Sequence, residues 1–120
     1  MIDIPNFEKI EVGIDLVKID RFRSLPYNEN KTFYTKNFSR EEIEYCLTFS
    51  NSAEHFAGKF AIKESVKKIL KTKINMIDIE TGYIESKPTV RISLKKNQFK
   101  VSVSHDGDYA IAIVLCQKME

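Results

Sequence analysis

Residues Phe56–Leu70 read FAGKFAIKESVKKIL, a proline-free run in which Phe56, Ala57, Phe60 and Ala61 fall on one arc at about 100° per residue. That spacing predicts an amphipathic helix. Asn51 followed by Glu54 gives it a capping-box start and the pattern carries it to about Lys71, while Ser39 followed by Glu42 opens a second helix that runs through about Phe49. Beyond Lys73 the period shortens to two, over Ile77–Glu85, Pro88–Leu94, Phe99–Ser104 and Tyr109–Cys116. The last third is therefore read as strands, with only a short connection between Leu94 and Phe99. Asp106-Gly107 supplies the positive φ angles of a tight hairpin turn and sets His105 at a strand end beside it.

Ahead of the helices, Ile10–Ile19 alternates Ile10, Val12, Ile14 and Leu16 with other residues, as a half-buried strand does, and Gly13 and Asp15 interrupt it. A strand, two helices and antiparallel strands, with no repeat or linker between them, predict one α+β domain over residues 1–120, a small antiparallel sheet packed against helices.

The composition fits that expectation. A chain of 120 residues, 42% hydrophobic and 30% charged, can bury one modest core and is not a disordered chain. A net charge of +2 is too small to imply a nucleic-acid partner, so any phosphate contact has to come from a local cluster. Cys46 and Cys116 have neither metal-ligand spacing nor disulfide density and are read as free buried thiols in a reducing cytoplasm. Met1–Phe7 lacks a signal-peptide core and no apolar run approaches a membrane span, so a cytosolic protein without a membrane partner is expected.

Glu64 falls inside the apolar arc of the central helix, beside Phe60, Ala57 and Lys68, where an unpaired carboxylate is costly. It either pairs with Lys68 at i, i+4 or binds a metal. Asp15, between Ile14 and Leu16, is either a turn or cap residue or the second carboxylate of such a site, because aspartate is disfavoured within strands. Two carboxylates without a Cys or His cluster suit Mg²⁺, which fills its remaining positions with water and substrate phosphate. Lys59, Lys63, Lys67, Lys68, Lys71 and Lys73 offer charge for a phosphate, or form a solvated face.

GIDLVKIDR at Gly13–Arg21, FAGKFAIKES at Phe56–Ser65 and VSVSHDGDYAIAIV at Val101–Val114 together resemble the three signature segments of the holo-acyl-carrier-protein synthases, in that family's order. The resemblance implies the 4'-phosphopantetheinyl transferase fold, with small subunits forming a homotrimer whose active sites lie at the subunit interfaces. It implies transfer of 4'-phosphopantetheine from coenzyme A to a serine of apo acyl carrier protein. It further implies Asp15 and Glu64 as Mg²⁺ ligands, Glu64 and Lys68 as catalytic groups, Lys59, Lys68 and His105 as coenzyme A contacts, and Arg21 as the docking residue for an acidic carrier. Departures accompany it: Lys59 stands where relatives usually carry Arg, and Leu70-Lys71-Thr72-Lys73-Ile74 replaces their Gly-Thr-Gly loop. The alternatives are a family member that binds carrier or nucleotide without turnover, or a small RNA-binding module using the lysine-rich helix and the Phe99–Ser104 strand.

Overall fold

The computed structural model describes residues 7–70, 72–92 and 99–117. Strand β1 (Ile10–Lys18) pairs antiparallel with the last strand, β5 (Tyr109–Gln117), from Ile10 opposite Gln117 to Lys18 opposite Tyr109. Strand β4 (Phe99–Asp106) pairs with the other edge of β5, so the order is β1-β5-β4, and β2 (Ile79–Ile84) with β3 (Lys87–Ile92) forms a separate two-stranded sheet beside β4. The α+β expectation holds, with the strands divided between two sheets. The expected connection between Leu94 and Phe99 lies, up to residue 98, outside the described residues.

The alternation along β1 is real, but its faces are used the other way round. Val12, Ile14 and Leu16 point away from the chain's own core, Leu16 being 58% exposed, whereas Gly13, Asp15 and Val17 face the helix α4 (Ser52–Ile69). On β5 the matching split puts Ala110, Ala112 and Val114 under α4 and Ile111, Ile113 and Leu115 on the open face. Small residues under the helix let it come close. A Cβ on Gly13 would lie 2.1 Å from the Ser65 carbonyl oxygen, and the Ser65 hydroxyl donates to the Ala61 and Ala112 carbonyls at 2.8 and 3.3 Å. Gly13→Ala must push strand and helix apart, so we expect a loss of about 1–3 kcal/mol or more in urea unfolding monitored by circular dichroism. Wild-type stability in that variant would refute the close approach.

The helix is buried on nearly every side rather than along one stripe. Between Phe56 and Val66, Glu64 is the one residue that keeps partial exposure, and the lysines at 59 and 63 are buried. On one flank an aromatic cluster gathers Phe22 of α1 (Asp20–Arg23), Tyr34 of α2 (Lys31–Asn37), Phe38, Phe56 and Phe60, with the Tyr34 and Phe56 ring centroids 4.7 Å apart. Burial pushes the Tyr34 phenol up to about 12, and its hydroxyl donates to the Leu25 carbonyl.

The other flank is held by charge. Helix α3 (Arg40–Leu47) starts at the expected capping box: the Glu42 amide donates to Ser39 Oγ, and Glu42 Oε1 accepts from the Ser39 amide at 2.8 Å. The same Oε1 lies 2.6 Å from Lys63 Nζ, in a pair whose side chains are 3% and 0% exposed. Lys63 spends its other two donors on the carbonyls of Asn37 and Met76, and Thr81 of β2 donates its amide and hydroxyl to Glu42 Oε2. One carboxylate thus ties α3, α4 and β2 together. At Asn51 the second expected capping box is absent; the Asn51 amide group bonds the Glu54 side chain at 2.8 Å instead of the helix backbone.

The β4–β5 turn also differs by one residue from its expectation. Asp106 is still in β4, opposite Tyr109, and the two central residues are Gly107, at φ +58°, and Asp108. Glycine at the first of two central positions is the arrangement that needs positive φ only there.

Candidate active site on the seam between strand and helix

Asp15 reaches the helix because it shares a face of β1 with Gly13, the point of closest approach to α4. Its carboxylate Oδ1 lies 3.0 Å from Lys68 Nζ, which also donates to the Ile14 carbonyl at 2.7 Å. The aspartate side chain is 18% exposed and the lysine 53%, so the contact sits at the mouth of the seam. Lys68 therefore takes a partner across the seam, and the alternative i, i+4 pair with Glu64 is not formed. Glu64 lies one turn before Lys68 on the same helix face, half-buried and next to the Ser65 carbonyl that touches Gly13.

The donor types are those a hard divalent cation takes: a shielded carboxylate, Asp15, on the strand and a partly exposed one, Glu64, on the helix. Among the described residues no group of three or more His, Cys, Asp or Glu gathers. A cation held here would draw on two carboxylates and take its other oxygens from water and a phosphate ligand.

His105 does not meet this pair. Its Nε2 lies 3.1 Å from the Glu54 carbonyl oxygen and within 3.3 Å of the position a Gly58 Cβ would take, at the start of α4. From Gly58 to Lys68 is ten residues, about 15 Å of helix. Arg23 supports the same end of the helix through Asp20, Asp108 and Glu54, at 2.7, 3.4 and 3.9 Å. Arg21, expected as the docking residue for the carrier, leaves Asp20 to Arg23 and lays its guanidinium 5.1 Å from the Phe60 ring centroid.

Lys59 is placed differently from the other expected ligand contacts. It is 3% exposed, donates to Thr81 Oγ1 at 3.0 Å and sits 4.9 Å from the ring centroids of both Tyr45 and Tyr83. Burial pulls its ammonium below the usual lysine range, with Cys46 and Glu42 opposing. It lines a cleft of about 930 Å³ with Tyr45, Thr81, Tyr83 and Arg91, to which Asp15, Glu64, Lys68 and His105 do not contribute. Sequence reading also missed His55, stacked 3.9 Å on Phe49 and pulled below its ordinary range by burial and by His105. Its only signal was its place one residue before Phe56.

A family model of the 4'-phosphopantetheinyl transferase superfamily matches residues 11–114, which hold all of this seam. The chain belongs to that superfamily. Among curated members it is similar to the holo-[acyl-carrier-protein] synthase of Chlorobaculum parvum, 34% identical over 117 residues covering 92% of this chain and 100% of that one. The corresponding synthase of Ehrlichia ruminantium is 35% identical over 119 residues, covering 91% and 97% of the two chains. Among solved members, the crystal structure of Helicobacter pylori holo-[acyl-carrier-protein] synthase in complex with coenzyme A superposes with a TM-score of 0.77 at 29% identity, over 89% of this chain and 100% of that one. The superfamily fold expected from the three segments is therefore the fold found.

Proposed function

We propose that the chain is a Mg²⁺-dependent holo-acyl-carrier-protein synthase, which transfers 4'-phosphopantetheine from coenzyme A to a serine of apo acyl carrier protein. The observation that carries this reading is the seam itself: in a chain of this superfamily, Lys68 and Asp15 meet at 3.0 Å with Glu64 one turn away. The carrier serine oxygen gives up its proton to solvent water and attacks the β-phosphorus of coenzyme A as the bond to the bridging oxygen breaks, and adenosine 3',5'-bisphosphate leaves. Mg²⁺, when bound, supplies Lewis-acid neutralisation of the phosphate oxygens. Asp15 and Glu64 hold that cation by their carboxylates. Lys68 places a mobile ammonium where charge builds on the leaving phosphate, and His105, about 15 Å back along α4, suits the adenosine end of an extended nucleotide. Lys59 serves by bracing the cleft wall through Thr81.

The reading extends to assembly. Val12, Ile14, Leu16, Ile111, Ile113 and Leu115 form a contiguous exposed apolar sheet face, and a homotrimer packed on that face would cover it. Sedimentation at micromolar concentration tests this; a monomer there would refute it. Both cysteines are buried and free, as suits a cytoplasmic enzyme of lipid synthesis.

Arg21 is held outward on the Phe60 ring, a position suited to an acidic carrier. Arg21→Ala is expected to raise KM for the carrier about tenfold, to weaken its salt dependence and to leave kcat near wild type. An unchanged KM would remove Arg21 from docking. The decisive experiment on the whole reading is intact-mass measurement of a cognate apo carrier incubated with this protein, coenzyme A and Mg²⁺. A carrier that gains the phosphopantetheine mass supports the transferase, and one that stays unmodified overturns it.

A further inference from the structure

The cation already lying against Asp15 belongs to the protein. Lys68 Nζ gives two of its three donors to Asp15 Oδ1 and the Ile14 carbonyl, at 3.0 and 2.7 Å, while its side chain remains half-exposed. A divalent ion approaching Asp15 in the free protein meets an ammonium in its way. The ion must either displace Lys68, which then loses both charge-assisted bonds, or bind beside a like charge. A pyrophosphate changes this balance, because its anionic oxygens offer the displaced ammonium new partners.

We propose that Lys68 is a resident stand-in for the divalent cation, so that metal and coenzyme A are captured together: the metal takes Asp15 as the pyrophosphate takes Lys68. This rests on the assignment of Asp15 and Glu64 as the metal site. Lys68 then has two roles of opposite sign. In the free protein it neutralises Asp15 and holds metal affinity down, and in the complex it adds to nucleotide affinity. The coupling is reciprocal, so metal tightens coenzyme A by the same factor that coenzyme A tightens metal.

The test is Mn²⁺ binding, followed by the paramagnetic resonance of free Mn²⁺ at constant ionic strength, with and without coenzyme A and corrected for Mn²⁺ held by coenzyme A alone. In the wild-type protein coenzyme A is expected to tighten Mn²⁺ at least tenfold, within the usual range of such couplings. Without coenzyme A, Lys68→Met and Lys68→Gln are each expected to tighten Mn²⁺ about tenfold, while weakening coenzyme A. Lys67→Met, which removes the same charge one residue away from a side chain that is not a partner of Asp15, controls for the general field and is expected to stay within about threefold. Circular dichroism identifies whichever Lys68 variant is folded. Unchanged Mn²⁺ affinity in the folded Lys68 variants, or an equal gain in Lys67→Met, overturns the stand-in role and leaves the metal site standing. If no variant shows Mn²⁺ binding that Asp15→Ala abolishes, even with coenzyme A, the metal site fails and the inference falls with it.

Discussion

Asp15→Ala and Glu64→Gln are each expected to slow carrier modification by about two to three orders of magnitude, or about 3–4 kcal/mol of barrier. Both variants should keep the fold. Asp15 lies at the mouth of the seam and Glu64 is the partly exposed residue in an otherwise buried run, so neither change opens a core cavity. The glutamine in place of Glu64 keeps shape and hydrogen bonding and removes only the charge, which makes it the cleaner variant. Steady-state rates across a Mg²⁺ series separate weak metal binding, which excess metal restores, from loss of the chemical step, which it does not. Near-wild-type turnover in either variant with a native circular dichroism spectrum would remove that residue from the metal site.

Lys63→Met should have the largest effect on stability, about 3–5 kcal/mol, because it leaves the Glu42 carboxylate buried at 3% exposure without its counter-charge. It also orphans the carbonyls of Asn37 and Met76. Replacing both partners, as in Glu42→Leu with Lys63→Met, should recover a large part of the loss, since the isolated charge rather than the lost attraction is the main penalty. A single variant as stable as wild type in urea unfolding would show that Glu42 reaches water. The pair also sets an acid limit. Burial alone would raise the Glu42 carboxyl, but Lys63, Thr81 and the Ser39 amide together bring it below its ordinary value of 4.5. With the folded value below the unfolded one, its contribution is complete above about pH 4.5 and is lost as the pH falls through the depressed folded value. A Glu42→Gln protein should show a flatter stability profile over that acid range.

Much of the architecture was legible because local signals and tertiary packing agreed. Ser39 and Glu42 announced α3, the Phe56–Leu70 periodicity announced α4, and the two-residue alternation from Ile77 onward announced the strands, with ends within a few residues. Helix α2 was missed because Lys31–Asn37 carries two threonines and two aromatics and its start, Asn30, makes no side-chain cap; the aromatic cluster rather than helix propensity holds it. The faces of β1 were misread for a related reason. Alternation reveals that two faces differ, but which one the chain covers depends on Gly13, whose missing side chain is invisible to a hydrophobicity pattern and decisive for the approach of α4. At the site, Asp15 and Lys68 meet across the seam, with Glu64 one turn before Lys68 on the same helix. Lys59 lies elsewhere; neither helical phase nor family motif foretold that Tyr45, Thr81 and Tyr83 would close around its ammonium.

The two-faced β1 carries a consequence for handling the protein. Ile14 and Leu16 flank Asp15 on the opposite side of the same three-residue span, so whatever shields the open face also steadies the strand that presents the carboxylate. If the proposed homotrimer covers that face, dilution costs specific activity before it costs helix content, and the separated chains are lost by adsorption through that face rather than by slow unfolding.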